Sequence, residues 1–432
     1  MNQKMVVDES PSSNRKYFLY SIFVLIFVQV IDSYSTSFPT LVPSSIIDEF
    51  LYGFPENIGA SIFAFVTALA SVGMYFCAFN TYLSDKIGRK TMLAITVFGM
   101  VLVALLINFS VSIIDFTIYL LFLWFFTRSD VWMIYIGEES PREKRAFWTN
   151  IILIFGLIGA ILAPIVRSRF ITETTSNWRG ITWLVIIFGV PLGLLIVFTL
   201  KDPKIYTDMK DDLDSKQRII SLKENVSGLF KSENRTEIIV CLVISVILGM
   251  NSVFRNLVEE AVSSSSYLNQ QEISLLMLIG VIAVYLAVIL IGVLADKFGR
   301  IPLLYIFSIL IPIARIMFAI VAFQPILTFP LTSLFVGMSE FGYWGGWITL
   351  SIVVMELVPT ESRGTGSGLK SFFGAFGITI GFLSTALMTY ISNLSISFVI
   401  LGLFGIIIVP LIYKYLKETK KVDMRDISRL KT

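Results

Sequence analysis

Ser84-Asp85-Lys86-Ile87-Gly88-Arg89-Lys90 closes one long apolar run, and Ala295-Asp296-Lys297-Phe298-Gly299-Arg300 closes another, 211 residues later. A second pair repeats the relation. Glu138-x-x-Pro141-x-Glu143-x-Arg145 is matched 218 residues later by Glu356-x-x-Pro359-x-Glu361-x-Arg363-Gly364. Two motifs in the same order at nearly the same offset indicate two related halves in one chain. Their chemistry is readable. Glycine permits a tight reversal between two helices. Asp and Arg suit ion pairs and opposite helix ends, and a proline after each Glu stops the outgoing helix.

The runs between these loops set the solvent. Of 432 residues, 55% are hydrophobic and 15% charged, against about 25% charged in a soluble domain. The charges fall in bursts between apolar stretches of about 20 residues, the thickness of a bilayer core. Twelve spans are expected: 17–43, 57–83, 91–110, 114–138, 146–168, 180–200, 236–258, 271–294, 301–322, 326–355, 366–390 and 394–415. Each must be a helix, because lipid offers no partner to an open backbone group. The expected fold is an all-α polytopic membrane protein of two pseudo-symmetric six-helix bundles. Residues 1–200 form the first, 201–235 a cytoplasmic central loop with a surface helix, and 236–432 the second with a cytoplasmic tail.

Orientation follows the basic residues. With the N-terminus inside, 28 of the 34 Lys and Arg fall in cytoplasmic segments. The outer loops hold only Arg167, Arg169 and Arg179, and Arg128, Arg255 and Arg315 fall within spans. Both termini are therefore expected in the cytoplasm of a cell-membrane protein, with no signal peptide. Cys77 and Cys241 lie inside apolar runs without metal or disulfide spacing. There is no histidine, so proton coupling must use Asp or Glu. No metal, cofactor, phosphate loop or catalytic constellation is expected, and nothing points to nucleic acid or to an oligomer beyond a monomer.

A charge at bilayer depth costs about 2.5–3.5 kcal/mol and marks a functional candidate. Asp32 falls mid-span 1, Arg128 and Asp130 mid-span 4, and Glu340 within span 10. Trp124 and Trp132 flank Arg128 at helical spacing, with Tyr135 beyond, and Tyr343, Trp344 and Trp347 follow Glu340 on one face. Asn251 adds an amide in span 7. An acid, a base and aromatic faces describe a pocket for a small organic molecule. Arg128 either meets a substrate acid or pairs with Asp32, and the two are compatible. Glu259 and Glu260 fall at the expected outer water interface, and Arg315 reads as structural. Glycine stripes at 374, 377 and 381 and at 156 and 159 read as helix-packing faces.

The D-K-x-G-R loops resemble the signature of the major facilitator superfamily. E-x-x-P-x-x-x-R-G resembles its sugar-porter and metabolite–proton symporter branches. Gly292 precedes Asp296 as that pattern asks, whereas Thr81 and Ala146 depart from it in the first half. Asp32-Ser33-Tyr34-Ser35 is similar to the Asp-Gly-Tyr-Asp of metabolite–proton symporters, with serines in place of Gly and the second Asp. The resemblance implies alternating access around a site lined by spans 1, 4, 7 and 10. It implies cytoplasmic gate clusters of Asp85, Gly88, Arg89, Glu138 and Arg145 in one half, and Asp296, Gly299, Arg300, Glu356 and Arg363 in the other. The expected activity is secondary transport of an organic acid or sugar-like metabolite by proton symport in the lipid bilayer. A proton-antiport exporter and a non-transporting sensor are the alternatives; an enzyme is not expected.

Overall fold

The computed structural model describes residues 15–127, 129–141, 144–203, 207, 229–230, 234–265, 267–322, 324–325, 328–358 and 363–418. These residues are almost entirely helical. In the first half the helices are α1 Arg15–Ser37, α2 Pro43–Phe50, α3 Glu56–Ala70, α4 Cys77–Ile87, α5 Arg89–Asn108, α6 Ile113–Thr127, α7 Val131–Glu139, α8 Arg145–Gly156, α9 Ile158–Phe170 and α10 Trp183–Thr199. In the second they are α11 Arg235–Asn251, α12 Val253–Ser265, α13 Gln270–Phe298, α14 Arg300–Val321, α15 Thr328–Leu357, α16 Arg363–Ile391, α17 Leu394–Phe404 and α18 Ile408–Tyr415.

Among the described residues, eleven helical segments are long and apolar enough to cross a membrane. The one remaining expected span, the tenth, is present as α15, 30 residues long. It falls outside the eleven because Glu340, several glycines and a row of Ser and Thr dilute its apolar character. A helix that polar needs protein around it, and its Glu340, Tyr343, Thr349 and Glu356 are buried.

Several expected spans are not continuous. Span 4 is interrupted between α6 and α7, where Thr127, Ser129 and Asp130 replace the apolar run. Short polar side chains compete for the backbone and favour helix starts, and Asp130 occupies the N-cap of α7. Span 7 breaks at Ser252 and then runs to Ser265, seven residues beyond the expected end at 258. Broken helices at membrane depth are tolerated where protein or a cavity takes the freed backbone groups.

The glycine stripes pack as expected. A side chain at Gly377 or Gly381 would strike the backbone of α11 at Val246 and Met250, and one at Gly159 would strike Val30 on α1. Gly88 and Gly299 have φ of +102° and +97°, a region open to glycine almost alone, and each joins two helices at a sharp reversal. The end of the bundle with these reversals is called the motif end, and the opposite end the distal end.

Candidate functional site

The two motif-end clusters form within their own halves. Arg89 meets Asp85 at 2.7 Å and Glu138 at 2.9 Å. Arg300 meets Asp296 at 3.1 Å and Glu356 at 2.8 Å. The side chains of Arg145 and Arg363 lie outside the described ones, as do Glu143, Pro359 and Glu361. A third repeated device accompanies the clusters. Asp202 accepts from the amide of Lys90 at 2.8 Å, and Glu418 accepts from those of Arg300 and Ile301 at 3.0 and 3.1 Å. A carboxylate thus caps the N-terminus of α5 and of α14, where orphan amides and the helix dipole favour negative charge. The signal was present in Leu200-Lys201-Asp202 and Leu416-Lys417-Glu418, and the motif reading passed over it.

At the distal end the halves are latched. Arg167, expected in an outer loop, is instead fully buried on α9 and meets the equally buried Glu259 at 2.5 Å. Its other donors reach Leu41 O at 2.7 Å, Ser274 Oγ at 2.8 Å and Gln270 Oε1 at 2.9 Å. Glu259 also accepts from the amide and hydroxyl of Ser44 at 3.0 and 2.8 Å. Such saturation is what an ion pair needs to survive desolvation. Glu259 therefore does not sit at a water interface, because Arg167 and Ser44 of the other half cover it, and Glu260 is buried beside it. On the adjacent α2, the hydrogen bond from Arg179 holds the Glu49 carboxyl below its ordinary range. Desolvation, then repulsion from Glu259, pushes Asp48 up.

Between the ends, a cavity lies where α1, α9, α12, α13 and α15 meet. Ser37, Thr40, Arg255 and Glu340 are its polar lining residues. It holds about 380 Å³ of empty space, but only about 20 Å³ of that takes the centre of a water, room for one or two molecules. Arg255 Nη1 stands 4.0 Å from Glu340 Oε2, and the guanidinium lies 5.6 Å from the Trp344 ring centre. That carboxylate oxygen is buried and receives no hydrogen bond among the described residues.

The expected site residues are partly assembled. Glu340 shares the wall of this cavity with Arg255, and Trp344 lies against the Arg255 guanidinium. Tyr343 packs edge-on against Trp344 at 5.8 Å. Trp347 lies under the ammonium of Lys370, 4.0 Å away. Lys370, counted above among the loop charges, is buried in α16 and donates to Ser351 at 2.5 Å. Asn251 ends α11, and its carbonyl is taken by the buried Arg315 at 2.6 Å; Arg315 also lies over Phe254 at 5.0 Å. In the first half, Asp32 is half-buried on α1, whereas Arg128 lies outside the described residues and with it the expected pair. Trp132 is buried, and Asp130 is exposed at the start of α7. Trp124 stacks on Phe382 of the other half at 6.4 Å. Tyr135 turns to the motif end, where its hydroxyl donates to Lys201 O at 2.6 Å. Arg255 and Arg167 were missed as site residues because only their partners in distant spans show that they are enclosed.

The family model for the Major Facilitator Superfamily matches residues 130–382 and 239–431. The chain belongs to the Major Facilitator Superfamily. Its members are secondary transporters, so this is a multi-pass membrane transporter of small molecules, not an enzyme. The superfamily fold is shared closely with solved structures at low identity. A D-xylose–proton symporter has a TM-score of 0.76 at 16% identity, over 93% of this chain and 99% of that one. The xylose transporter XylE from E. coli, inward open, scores 0.74 at 17%, over 96% and 100%. A POT family transporter in complex with 5-aminolevulinic acid scores 0.72 at 13%, over 91% and 95%. No curated protein matches the chain.

Proposed function

We propose that this transporter carries a small organic solute, an organic acid or sugar-like metabolite, together with protons, with the motif end in the cytoplasm. One observation carries the reading. A buried carboxylate oxygen of Glu340 faces a cavity between the halves beside the Arg255 guanidinium and the Trp344 ring. A solute hydroxyl can donate to Glu340, a solute carboxylate can accept from Arg255, and an apolar face can lie on the indole. Asp32 on α1 supplies a second carboxylate within the span for proton exchange as its contacts are made and broken. The likeness to a xylose–proton symporter supports the class, and the latch at the distal end fits a state closed to the outside.

The test is uptake into proteoliposomes under an imposed inward proton gradient, with a panel of labelled sugars, carboxylates and aromatic acids. Glu340→Gln and Arg128→Ala are expected to lower uptake of the carried solute at least about tenfold, the scale of a charged hydrogen bond. Asp32→Asn is expected to abolish gradient-driven accumulation while solute exchange persists. Accumulation surviving in Asp32→Asn removes the coupling role. Efflux of amphipathic dyes with no uptake of any panel member replaces the reading with export.

A further inference from the structure

Helix α12 presents three consecutive surfaces to three surroundings. Arg255 and Val258 line the central cavity, Glu259 makes the latch, and Glu260 with Ser264 lines a second cavity at the distal end. The second cavity is larger, with about 760 Å³ of empty space. Glu56 and Asn57 of α3 form one wall, and Thr389 and Asn393 of the other half form the wall opposite. It shares no lining residue with the central cavity. Glu260 is 3% exposed, yet it makes no hydrogen bond or ion pair among the described residues. The charged groups that act on it are carboxylates: Glu259, Asp48 and Glu56. Arg167, the cation of the adjoining latch, is saturated by Glu259, Gln270, Ser274 and Leu41.

A buried carboxylate without a partner is costly. Here it lies beside a cavity whose other polar groups are hydroxyls, amides and a further carboxylate, a set of hard oxygen donors. We propose that the distal cavity is a second binding site, for a small monovalent cation, an alkali ion or a protonated amine, held at Glu260. The cation neutralises a cluster of like charges at the point where the two halves meet. Because its walls come from both halves, occupancy favours the latched state, and Glu260 adjoins the latch residue Glu259 directly. The site is independent of the central cavity and of the solute proposed for it.

The experiment is thermal melting of the full-length protein in detergent at fixed pH and ionic strength. Lithium, sodium, potassium and methylammonium chlorides are compared with N-methylglucamine chloride. At least one small cation is expected to raise the melting temperature saturably by about 2 °C or more. A response to alkali ions alone identifies an inorganic ion, and one to methylammonium alone an amine. Glu260→Gln is expected to abolish the response. Ser264→Lys, on the exposed wall, brings a tethered ammonium to the cavity and is expected to remove the response while raising the melting temperature itself. Identical melting in all salts overturns the proposal. So does a response that persists in both variants, or one to pH alone, which makes Glu260 a proton carrier.

Discussion

Arg315 shows how one side chain permits a broken helix. When α11 stops at Asn251, its last carbonyls lose their partners. The guanidinium reaches across from α14, bonds the Asn251 carbonyl at 2.6 Å and lies over Phe254 on the continuing helix. Its planar fork lets one group serve a carbonyl and an aromatic face together. Arg315→Met is expected to cost about 1.5–3 kcal/mol, the worth of a hydrogen bond from a charged group. It should lower the melting temperature, with Arg315→Lys recovering only part. Equal melting of Arg315→Met and the parent protein would show that the break supports itself. The sequence marked Arg315 as structural, but which carbonyl it serves depends on a break in span 7 that periodicity does not reveal. Gly249, Asn251 and Ser252 do interrupt the apolar run between Leu248 and Val253, but a short polar patch alone does not say which side chain will take the freed carbonyl.

At the scale of elements, the reversals at Gly88 and Gly299 were legible because a residue type and a conformation correspond. Only glycine takes φ near +100° with extended ψ cheaply, and both copies do so. The space around them is also filled. A Cβ on Gly88 would stand 2.9 Å from the Asp202 carboxylate, and one on Gly299 2.5 Å from that of Glu418. Gly88→Ala is expected to destabilise by about 1–3 kcal/mol from the backbone alone. Adding Asp202→Ala should relieve the crowding but leave that backbone cost. A double variant as stable as the parent would assign the whole effect to crowding. The paired ion clusters were legible for a similar reason, since Asp85–Arg89 and Asp296–Arg300 are four residues apart and near neighbours around a helix reversal.

Across the whole molecule, the latch carries the balance between states. Arg167 and Glu259 lie 92 residues apart, on opposite halves, and both are fully buried. Removing one partner of such a pair costs about 3–5 kcal/mol. A swing from 1:99 to 99:1 between two conformations needs about 5.5 kcal/mol. Arg167→Ala is therefore expected to move much of the population toward a state open at the distal end. Distance distributions between spin labels at the distal ends of α3 and α16 would read this as a new, longer component. An unchanged distribution would mean that the packing of Trp124 on Phe382, with the bonds of Ser61 and Asn57 to Ala386 and Tyr390, holds that end alone. The halves, spans and loop motifs could be read from the chain because each is local or repeated. The latch, the Arg255–Glu340 wall and the buried Lys370 could not, because the burial of a charge is decided by what another span brings to it.

The carboxylate caps at Lys90 and at Arg300 have a consequence for how such a chain can arise. Asp202 ties the exit of the sixth span back to the third, and Glu418 ties the twelfth back to the ninth. At the motif end each set of six helices is thereby closed by a carboxylate that follows its own sixth helix. A unit closed in that way is portable: it can be copied and joined tail to head without redesign at the seam.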